Sequence, residues 1–237
     1  MNYIKTPDIK NIGNCIVTKE TQIQLCSSNP HFVKLEDVSE HLLNAILVAE
    51  DISFFHHHGF DIFEIKESFL TNLKKFRFAR GGSTITQQMI KNVYLSQEKS
   101  LSRKVQEAIL TFKVENTTSK KRIFELYLNA IEFGKEIYGI KSASYFYFNK
   151  SPLHLNILES AFLAFLLPNP KKYMSSYENK VLSPFAEKRL KDIIEKLYFY
   201  KKISEEQWQV ALQHLSLFPW QSLDIGTEFL LIKKFDP

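Results

Sequence analysis

The chain has 237 residues, of which 44% are hydrophobic and 24% charged, and this composition excludes a disordered chain. Its length suffices for one large domain or two small ones, each with a real core. Glycine and proline number only 7 and 8, too few for the frequent turns of a many-stranded fold, so we expect a mainly α fold.

The net charge of +5 and the pI of about 9.0 suit three kinds of partner: nucleic acid, an anionic membrane or a phosphorylated ligand. The 20 phenylalanines and 10 tyrosines fit the same set. No helix-turn-helix, RNA-binding or zinc-finger pattern supports the first kind. We therefore predict no nucleic-acid partner.

Residues 1–34 mix polar and β-branched side chains, with Gly13 and Pro30 as breakers, and predict a short extended arm or hairpin. The two cysteines, Cys15 and Cys26, are too few for a disulfide framework or a metal site, and their pairing across a short loop stays open. No stretch approaches the roughly 20 apolar residues that span a bilayer, and no secretory signal follows Met1. We expect a membrane anchor to be absent from this chain.

Helical periodicity begins near residue 35 and ends in Glu50, because the apolar residues Leu35, Val38, Leu42, Ile46 and Ala49 fall on one face. A second helix is predicted through Ile62, Ile65, Phe69 and Leu73, before a basic stretch with interleaved aromatics at 74–80. Further helices are predicted over residues 83–95, 103–116, 119–131, 136–148, 153–167, 184–201 and 204–215. The last two helices have clear start signals, Ser183-Pro184 for the first and a capping box that begins at Ser204 for the second. The helix predicted over 153–167 is expected to end before Pro168 and Pro170.

The first candidate chemical site is the pair Glu50 and Asp51. An apolar helix face that ends in two carboxylates places acid beside a hydrophobic wall, and burial there raises the pKa of a carboxyl toward that of a proton carrier at neutral pH. The alternative is two solvated acids at a helix end. Three histidines follow at positions 56–58, but adjacent residues on regular backbone cannot all face one metal ion, so hydrogen-bonding or structural roles are favoured.

The second candidate site is the run Gly81-Gly82-Ser83-Thr84-Ile85-Thr86-Gln87-Gln88. Two adjacent glycines allow close approach of a ligand to the backbone, and six uncharged polar or β-branched residues follow. This pattern favours a surface of hydroxyls, amides and N–H groups that binds sugar or phosphate. A nucleophilic role for Ser83 is disfavoured, because no glycine stands two residues after it as a nucleophile elbow requires.

The third candidate site is Arg103-Lys104-x-x-Glu107. On a helix, Arg103 and Glu107 share one face, which fits either an ordinary surface ion pair or a carboxylate in a cleft with cations beside it for phosphate. Lys91 and Lys99 add to that cationic set.

Together these runs resemble the peptidoglycan glycosyltransferases, the lysozyme-like family 51 enzymes that polymerise lipid II. The resemblance covers residues 32–212, and its Leu-Pro-Asn-Pro ending is most like the monofunctional transglycosylases. Five motifs occur in order: Glu50-Asp51-x-x-Phe54-x-x-His57-x-Gly59; Gly81 to Gln88 continuing to Lys91-Asn92; Arg103-Lys104-x-x-Glu107; Lys120-x-x-Ile123-Phe124-Glu125-x-Tyr127-Leu128-Asn129; and Glu159-x-Ala161-x-Leu163-Ala164 with Pro168-Asn169-Pro170-x-x-Tyr173. Departures such as Asn149 for the usual glycine leave both carboxylates in place.

The resemblance implies a mainly α, lysozyme-like helical domain with a smaller membrane-proximal lobe. We expect an N-terminal arm over residues 1–34, the glycosyltransferase domain over 35–213, and a tail over 214–237 that packs on the domain or on a membrane. We expect the protein to act at the outer, periplasmic face of the bacterial cytoplasmic membrane. The expected partners are lipid II, the growing glycan strand, the membrane surface, and transpeptidases or other cell-wall proteins.

The implied reaction is an inverting glycosyl transfer that joins lipid II into glycan strands and releases undecaprenyl pyrophosphate. By motif position, the catalytic residues are Glu50, the base on the acceptor's sugar 4-hydroxyl, and Glu107, near the donor pyrophosphate. Glu107 either assists departure directly or holds a divalent cation, Mg²⁺ or Mn²⁺; no organic cofactor is expected. The residues predicted to bind substrate are Asp51, His57, Gly82, Ser83, Thr84, Gln87, Gln88, Lys91, Lys99, Arg103, Lys104, Glu125 and Asn129.

Two alternatives remain at this point. A lysozyme-like glycan hydrolase would use the same carboxylates but needs no cationic set for pyrophosphate. A catalytically inactive scaffold of the cell-wall machinery would keep the fold, but would be expected to lose Glu50 and Glu107 before its core.

Overall fold

The computed structural model describes residues 7–9, 12–74, 82–96, 98 and 100–217, and all structural statements refer to these residues. Two compact units divide the chain. The first combines Met1–Leu35 with Glu50–Ile131, and the second combines Glu36–Ala49 with Glu132–Pro237. Residues 75–80 of the basic stretch predicted at 74–80 and residues 218–237 of the predicted tail lie outside the described residues.

The structure is mainly helical, which confirms the predicted fold class. In chain order the helices are α1 (Glu40–Glu50), α2 (Ile62–Lys74), α3 (Ile85–Tyr94), α4 (Leu101–Thr117), α5 (Lys120–Ala130), α6 (Ile140–Phe148), α7 (Ile157–Leu166), α8 (Pro170–Tyr173), α9 (Ser175–Glu178), α10 (Pro184–Phe199) and α11 (Glu205–His214). The strands are β1 (Ile16–Val17), β2 (Gln24–Leu25), β3 (Glu132–Gly134) and β4 (Ile137–Tyr138). No helix in the described part of the chain has the length and apolar character needed to cross a membrane.

The first unit is built around α3, which packs against α4 and α5. Its apolar residues Ile85, Met89, Ile90 and Val93 are fully buried because they recur at helical spacing on one face. The predicted N-terminal hairpin is present, with β1 and β2 antiparallel and Ile16 opposite Leu25. A disulfide joins Cys15 to Cys26 across this hairpin, with 4.8 Å between their Cα atoms, and so answers the question that the sequence left open.

The second unit has α7 at its centre. Every residue of Ile157–Leu166 is buried, as expected of a helix that is apolar on all sides, and α7 packs against α10. A short antiparallel hairpin, β3 with β4, precedes α6. The cap of α10 by Ser183 and the capping box of Ser204 with Gln207 on α11 are both as predicted.

Two predicted helix starts were wrong. The helix expected over 136–148 begins at Ile140, because Glu136 and Gly139 take positive φ values of 62° and 79° and residues 137–138 form a strand. The helix expected over 153–167 begins at Ile157, where Asn156 caps it after a 3-10 turn at Pro152–His154. The predicted end of the apolar helix before Pro168 and Pro170 is confirmed, because α7 ends at Leu166. Pro170 then begins α8, since proline is tolerated at the first helical position.

Candidate active site

Glu50 is the last residue of α1 and lies half-buried in the first unit. The side-chain amide of Gln88 on α3 donates to Glu50 Oε2 over 2.7 Å. The other end of this amide, Gln88 Oε1, accepts a hydrogen bond of 3.3 Å from the hydroxyl of Tyr127 on α5. The bond from Gln88 therefore brings two predicted site residues, 38 positions apart in sequence, into direct contact.

Asp51 is buried and joins two parts of the first unit. Its two carboxylate oxygens lie 3.0 and 3.1 Å from His57 Nε2, and Oδ2 also accepts from the backbone N–H of Ile85 over 3.0 Å. His57 Nδ1 accepts from the backbone N–H of Gly59, so the ring carries its hydrogen on Nε2 and donates it to Asp51. Asp51 thus places a negative charge at the positive end of α3.

The start of α3 is held by Thr84 and Gln87, both predicted to bind substrate. They form a reciprocal capping box, and Thr84 Oγ1 also donates to the carbonyl of Gly59 over 2.7 Å. These bonds give the two buried side chains a structural role, and substrate contact by them remains a prediction. Ser83, just before the cap, is exposed.

Gly82 lies close against α2 rather than facing open space. A Cβ at this position would lie 3.2 Å from Ser68 Oγ and 3.4 Å from Ile65 Cα, both on α2. The absence of a side chain therefore lets the segment before α3 pack closely on α2. Gly81 and Lys99 lie outside the described residues.

A second cluster of charges surrounds Glu107, whose side chain on α4 is only 4% exposed. Arg103 Nη1 lies 3.4 Å from Glu107 Oε2, and Lys104 Nζ contacts Oε1. Lys104 Nζ also donates to Ser83 Oγ over 3.4 Å. The predicted pairing of Arg103 with Glu107 is present, and Lys104 connects this cluster to the second candidate site.

The pKa of Lys91 on α3 is affected by both Glu50 and Glu107. Burial lowers its pKa most, the charges of Glu107 and Glu50 raise it, and those of Arg103 and Lys104 lower it. Both predicted catalytic carboxylates therefore influence the charge of the same lysine, and their joint action in one site remains a prediction.

Glu125 and Asn129 lie elsewhere in the first unit. Glu125 Oε2 accepts from the backbone N–H of Leu35, and Asn129 exchanges two 2.8 Å hydrogen bonds with the backbone of Val33. Glu125 also lines a cavity of about 490 Å³ beside the disulfide. These contacts fasten the chain before α1, and binding of substrate by either residue remains a prediction.

Two features of the site had no assigned role in the sequence. The first feature is Tyr127, which lies four residues after the buried Ile123 on α5, so helical periodicity predicts only a core residue. Periodicity gives no sign of the hydrogen bond between its hydroxyl and Gln88. The second feature is a chain of contacts in which Thr86 donates to Glu115, Glu115 accepts from Lys120 Nζ over 2.8 Å, and Lys120 stands 4.4 Å above the ring of Phe54.

The described donors do not fit a resident metal ion. No group of three histidine, cysteine, aspartate or glutamate side chains in the described ranges is arranged to hold one. Glu107, the predicted metal ligand, is already engaged by two cationic side chains, and a further cation there would be repelled by both.

The sequence profile of the transglycosylase family matches residues 18–198. The chain is 45% identical over 141 residues to a biosynthetic peptidoglycan transglycosylase of Acinetobacter baylyi, covering 60% of this chain and 63% of the relative. It is 48% identical over 142 residues to the protein of the same name from Dechloromonas aromatica, covering 60% and 62%. It is also 39% identical over 181 residues to penicillin-binding protein 1A of Aquifex aeolicus, covering 76% and 24%. The chain thus spans less than two thirds of the length of these curated relatives. Because the profile matches more than half of its residues, the chain belongs to the transglycosylase family.

Proposed function

We propose that this protein is a peptidoglycan glycosyltransferase that polymerises lipid II into glycan strands with inversion at the anomeric carbon. The observation that carries the proposal is the cluster in which Arg103 and Lys104 pair with the buried Glu107, while the charges of both Glu50 and Glu107 act on Lys91. A base beside a cluster of cations is what transfer from a pyrophosphate donor needs. The family and the names of its relatives support the same activity.

Glu50 is proposed as the general base. The acceptor's sugar 4-hydroxyl oxygen forms a bond to C1 of the donor, the bond from C1 to the pyrophosphate oxygen breaks, and Glu50 takes the hydroxyl proton. A carboxylate has about four acceptor positions, so Glu50 can accept from Gln88 and from the incoming hydroxyl together. The bond to Gln88 also limits the rotation of the carboxylate.

The leaving pyrophosphate is proposed to bind the cationic side chains of Lys91, Arg103 and Lys104. Arg103 can grip two phosphate oxygens, whereas each lysine acts as a point charge. Glu107 holds Arg103 and Lys104 in place before substrate arrives and balances their charge. Since these cations can neutralise the leaving group, the proposal routes no step through a metal ion.

The lipid part of the substrate is proposed to contact apolar side chains of the first unit. Ile62, Phe63 and Leu73 on α2 and Leu101 and Phe112 on α4 are exposed. Together with the basic charge of the chain, they support action at an anionic membrane surface. The disulfide supports an oxidising compartment such as the periplasm, in keeping with the outer face of the cytoplasmic membrane. Transpeptidases and other cell-wall proteins remain proposed partners.

The test is polymerisation of labelled lipid II in detergent, with polymer length resolved on a gel. Glu50→Gln should lower the rate by about 10²- to 10⁴-fold, the usual contribution of a general base. Glu206→Gln, at an exposed position on α11, is the matched control and should polymerise like wild type. Parallel reactions with Mg²⁺ and with EDTA test whether a cation accompanies the pyrophosphate.

Two results would contradict the proposal. Release of soluble sugar fragments from pre-formed glycan, without polymer from lipid II, would identify a hydrolase. Neither polymer nor fragments from wild-type protein across the cation series would identify an inactive scaffold.

A further inference from the structure

The contact between Tyr127 and Gln88 is a buried feature that the proposed reaction does not use. Tyr127 is fully buried on α5, and its ring stacks on that of Phe124 with centroids 6.2 Å apart. Its hydroxyl donates to Gln88 Oε1, and the amide nitrogen of the same Gln88 donates to Glu50 Oε2. One side-chain amide thus connects a buried phenol to the proposed base.

This arrangement specifies which way the amide points. With its oxygen toward Tyr127, Gln88 presents an N–H to the carboxylate of Glu50. The reverse orientation would place the amide oxygen against a carboxylate oxygen, and two acceptors repel each other. In the reverse orientation the hydroxyl of Tyr127 could accept from the amide nitrogen, but its own hydrogen would lose Gln88 Oε1 as acceptor. The hydroxyl therefore adds to the preference for the productive orientation.

We propose that Tyr127 is a positioning residue for the transfer reaction, acting on Glu50 through the amide of Gln88. The inference rests on the proposed function, in which Glu50 is the base. Tyr127 touches no reacting atom in this account. It keeps an N–H of Gln88 directed at the carboxylate, which stabilises the charged form that removes the proton.

The hydroxyl of Tyr127 remains a donor across the working pH range. Burial raises its pKa well above that of an ordinary tyrosine, and the charges of Glu50 and Asp51 raise it further. The charge of Glu50 also acts on Lys91 of α3, as do those of Arg103, Lys104 and Glu107 of α4, and Asp51 is the next residue in sequence. None of these groups is changed by removal of the phenol oxygen.

The test replaces Tyr127 with phenylalanine, which keeps the buried ring and removes only the hydroxyl. The bond is long for O–H···O, so we expect a modest fall in kcat of about 2- to 10-fold with KM little changed. Loss of the oriented donor should weaken the charged form of Glu50, and the acid limb of the kcat profile should move to higher pH. Titration of the Glu50 carboxyl by ¹³C NMR, assigned with Glu50→Gln, should move in the same direction.

Tyr147→Phe is the matched control. Tyr147 is also buried, and its hydroxyl donates to the carbonyl of Phe133 over 2.8 Å in the second unit. Its loss should lower stability like any buried hydrogen bond but leave the titration of Glu50 unchanged. A double-mutant cycle adds a second check, because Tyr127→Phe should have no further effect on the Glu50 titration in a Gln88→Leu background.

An unchanged Glu50 titration in Tyr127→Phe would overturn the inference, as would an equal shift in Tyr147→Phe or in the Gln88→Leu background. The NMR titration needs no lipid II, so it separates this inference from the proposed function. A shifted titration in a protein that makes no polymer would overturn the polymerase function and support the positioning contact.

Discussion

At the scale of single residues, Lys91 decides how the site responds to alkaline pH. Burial, the largest effect, lowers its pKa below that of an ordinary lysine, and the two carboxylates counteract this only in part. Below the folded pKa the buried charge of Lys91 costs folding free energy, and that cost is lost as the pH rises from the folded pKa to the higher unfolded pKa. The charge needed for pyrophosphate is lost at the start of this interval, as the pH passes the folded pKa.

Lys91→Arg should therefore extend activity to higher pH, because arginine keeps its charge throughout. The measurement is the rate of lipid II polymerisation from neutral to strongly alkaline pH. Lys191→Arg, at an exposed position on α10, is the control and should leave the alkaline limb where it is. If the alkaline limb does not move in Lys91→Arg, loss of the Lys91 charge is not the cause of the fall in rate at high pH.

Gly59 lies against two side chains that leave no room for a Cβ atom. Its φ is +85°, and a Cβ would lie 2.6 Å from Thr111 Cγ2 and 2.9 Å from Glu115 Cγ. Gly59→Ala should lower the free energy of unfolding by about 1–3 kcal/mol, through overpacking and left-handed strain. In urea unfolding, Gly13→Ala should have little effect, since nothing lies within 4 Å of its Cβ position. Equal stability of the two variants would contradict the packing at Gly59.

At the scale of elements, α3 organises the site. Asp51 and the capping box fix its first turn, Gln88 donates to Glu50, and Lys91 follows about one turn later, where the charges of Glu50 and Glu107 act on it. Displacement of the N-terminus of α3 would therefore shift both Gln88, the donor to Glu50, and Lys91.

Thr84→Ala tests this dependence on the cap. Loss of a cap costs about 1 kcal/mol, and loss of the buried bond to the Gly59 carbonyl adds about 1 kcal/mol or more. Ser204→Ala removes the exposed capping box of α11 and should cost about 1 kcal/mol without loss of activity. Urea unfolding and polymerisation assays should both distinguish the two variants. Thr84→Ser, which keeps the hydroxyl, should recover most of the loss, and its failure to do so would exclude the cap as the cause.

At the scale of the whole molecule, α5 ties the N-terminal hairpin to the site within the first unit. Arg122 donates to the carbonyls of Asn14 and Leu25, which precede the two cysteines, and forms an ion pair of 2.6 Å with Glu125. Tyr127 on the same helix reaches Gln88. The disulfide thus closes a segment that this helix holds by side-chain contacts.

Replacement of both Cys15 and Cys26 by serine should lower the free energy of unfolding by about 3 kcal/mol, the chain-entropy value for a loop closed across 11 residues of sequence. A reducing agent should destabilise wild type in urea by a similar amount and leave the double variant unchanged. If wild type is insensitive to reduction, the disulfide does not contribute to stability.

Local patterns predicted most helices well. The ends of α10 and α11 lie within two residues of the predicted ones, because a capping serine and helical periodicity are both short-range features. The errors at 136–148 and 153–167 have a common cause. Gly139, with its positive φ, and the capping residue Asn156 each begin a helix inside an apolar stretch, later than the periodicity predicts. Periodicity continues through such a stretch even when the helix does not.

By itself, the sequence determined the mainly α fold, the family and the identity of the charged residues, since composition, periodicity and motif order are properties of the chain alone. Only the tertiary structure decided which side chains meet. Glu50 receives a hydrogen bond from Gln88, 38 residues further along the chain, Asp51 binds the start of α3, and Glu125 and Asn129 hold the segment before α1. Hydrogen bonds act over about 3 Å and depend on direction, so such partners are chosen by the packing of α3 on α4 and α5, which no local pattern contains.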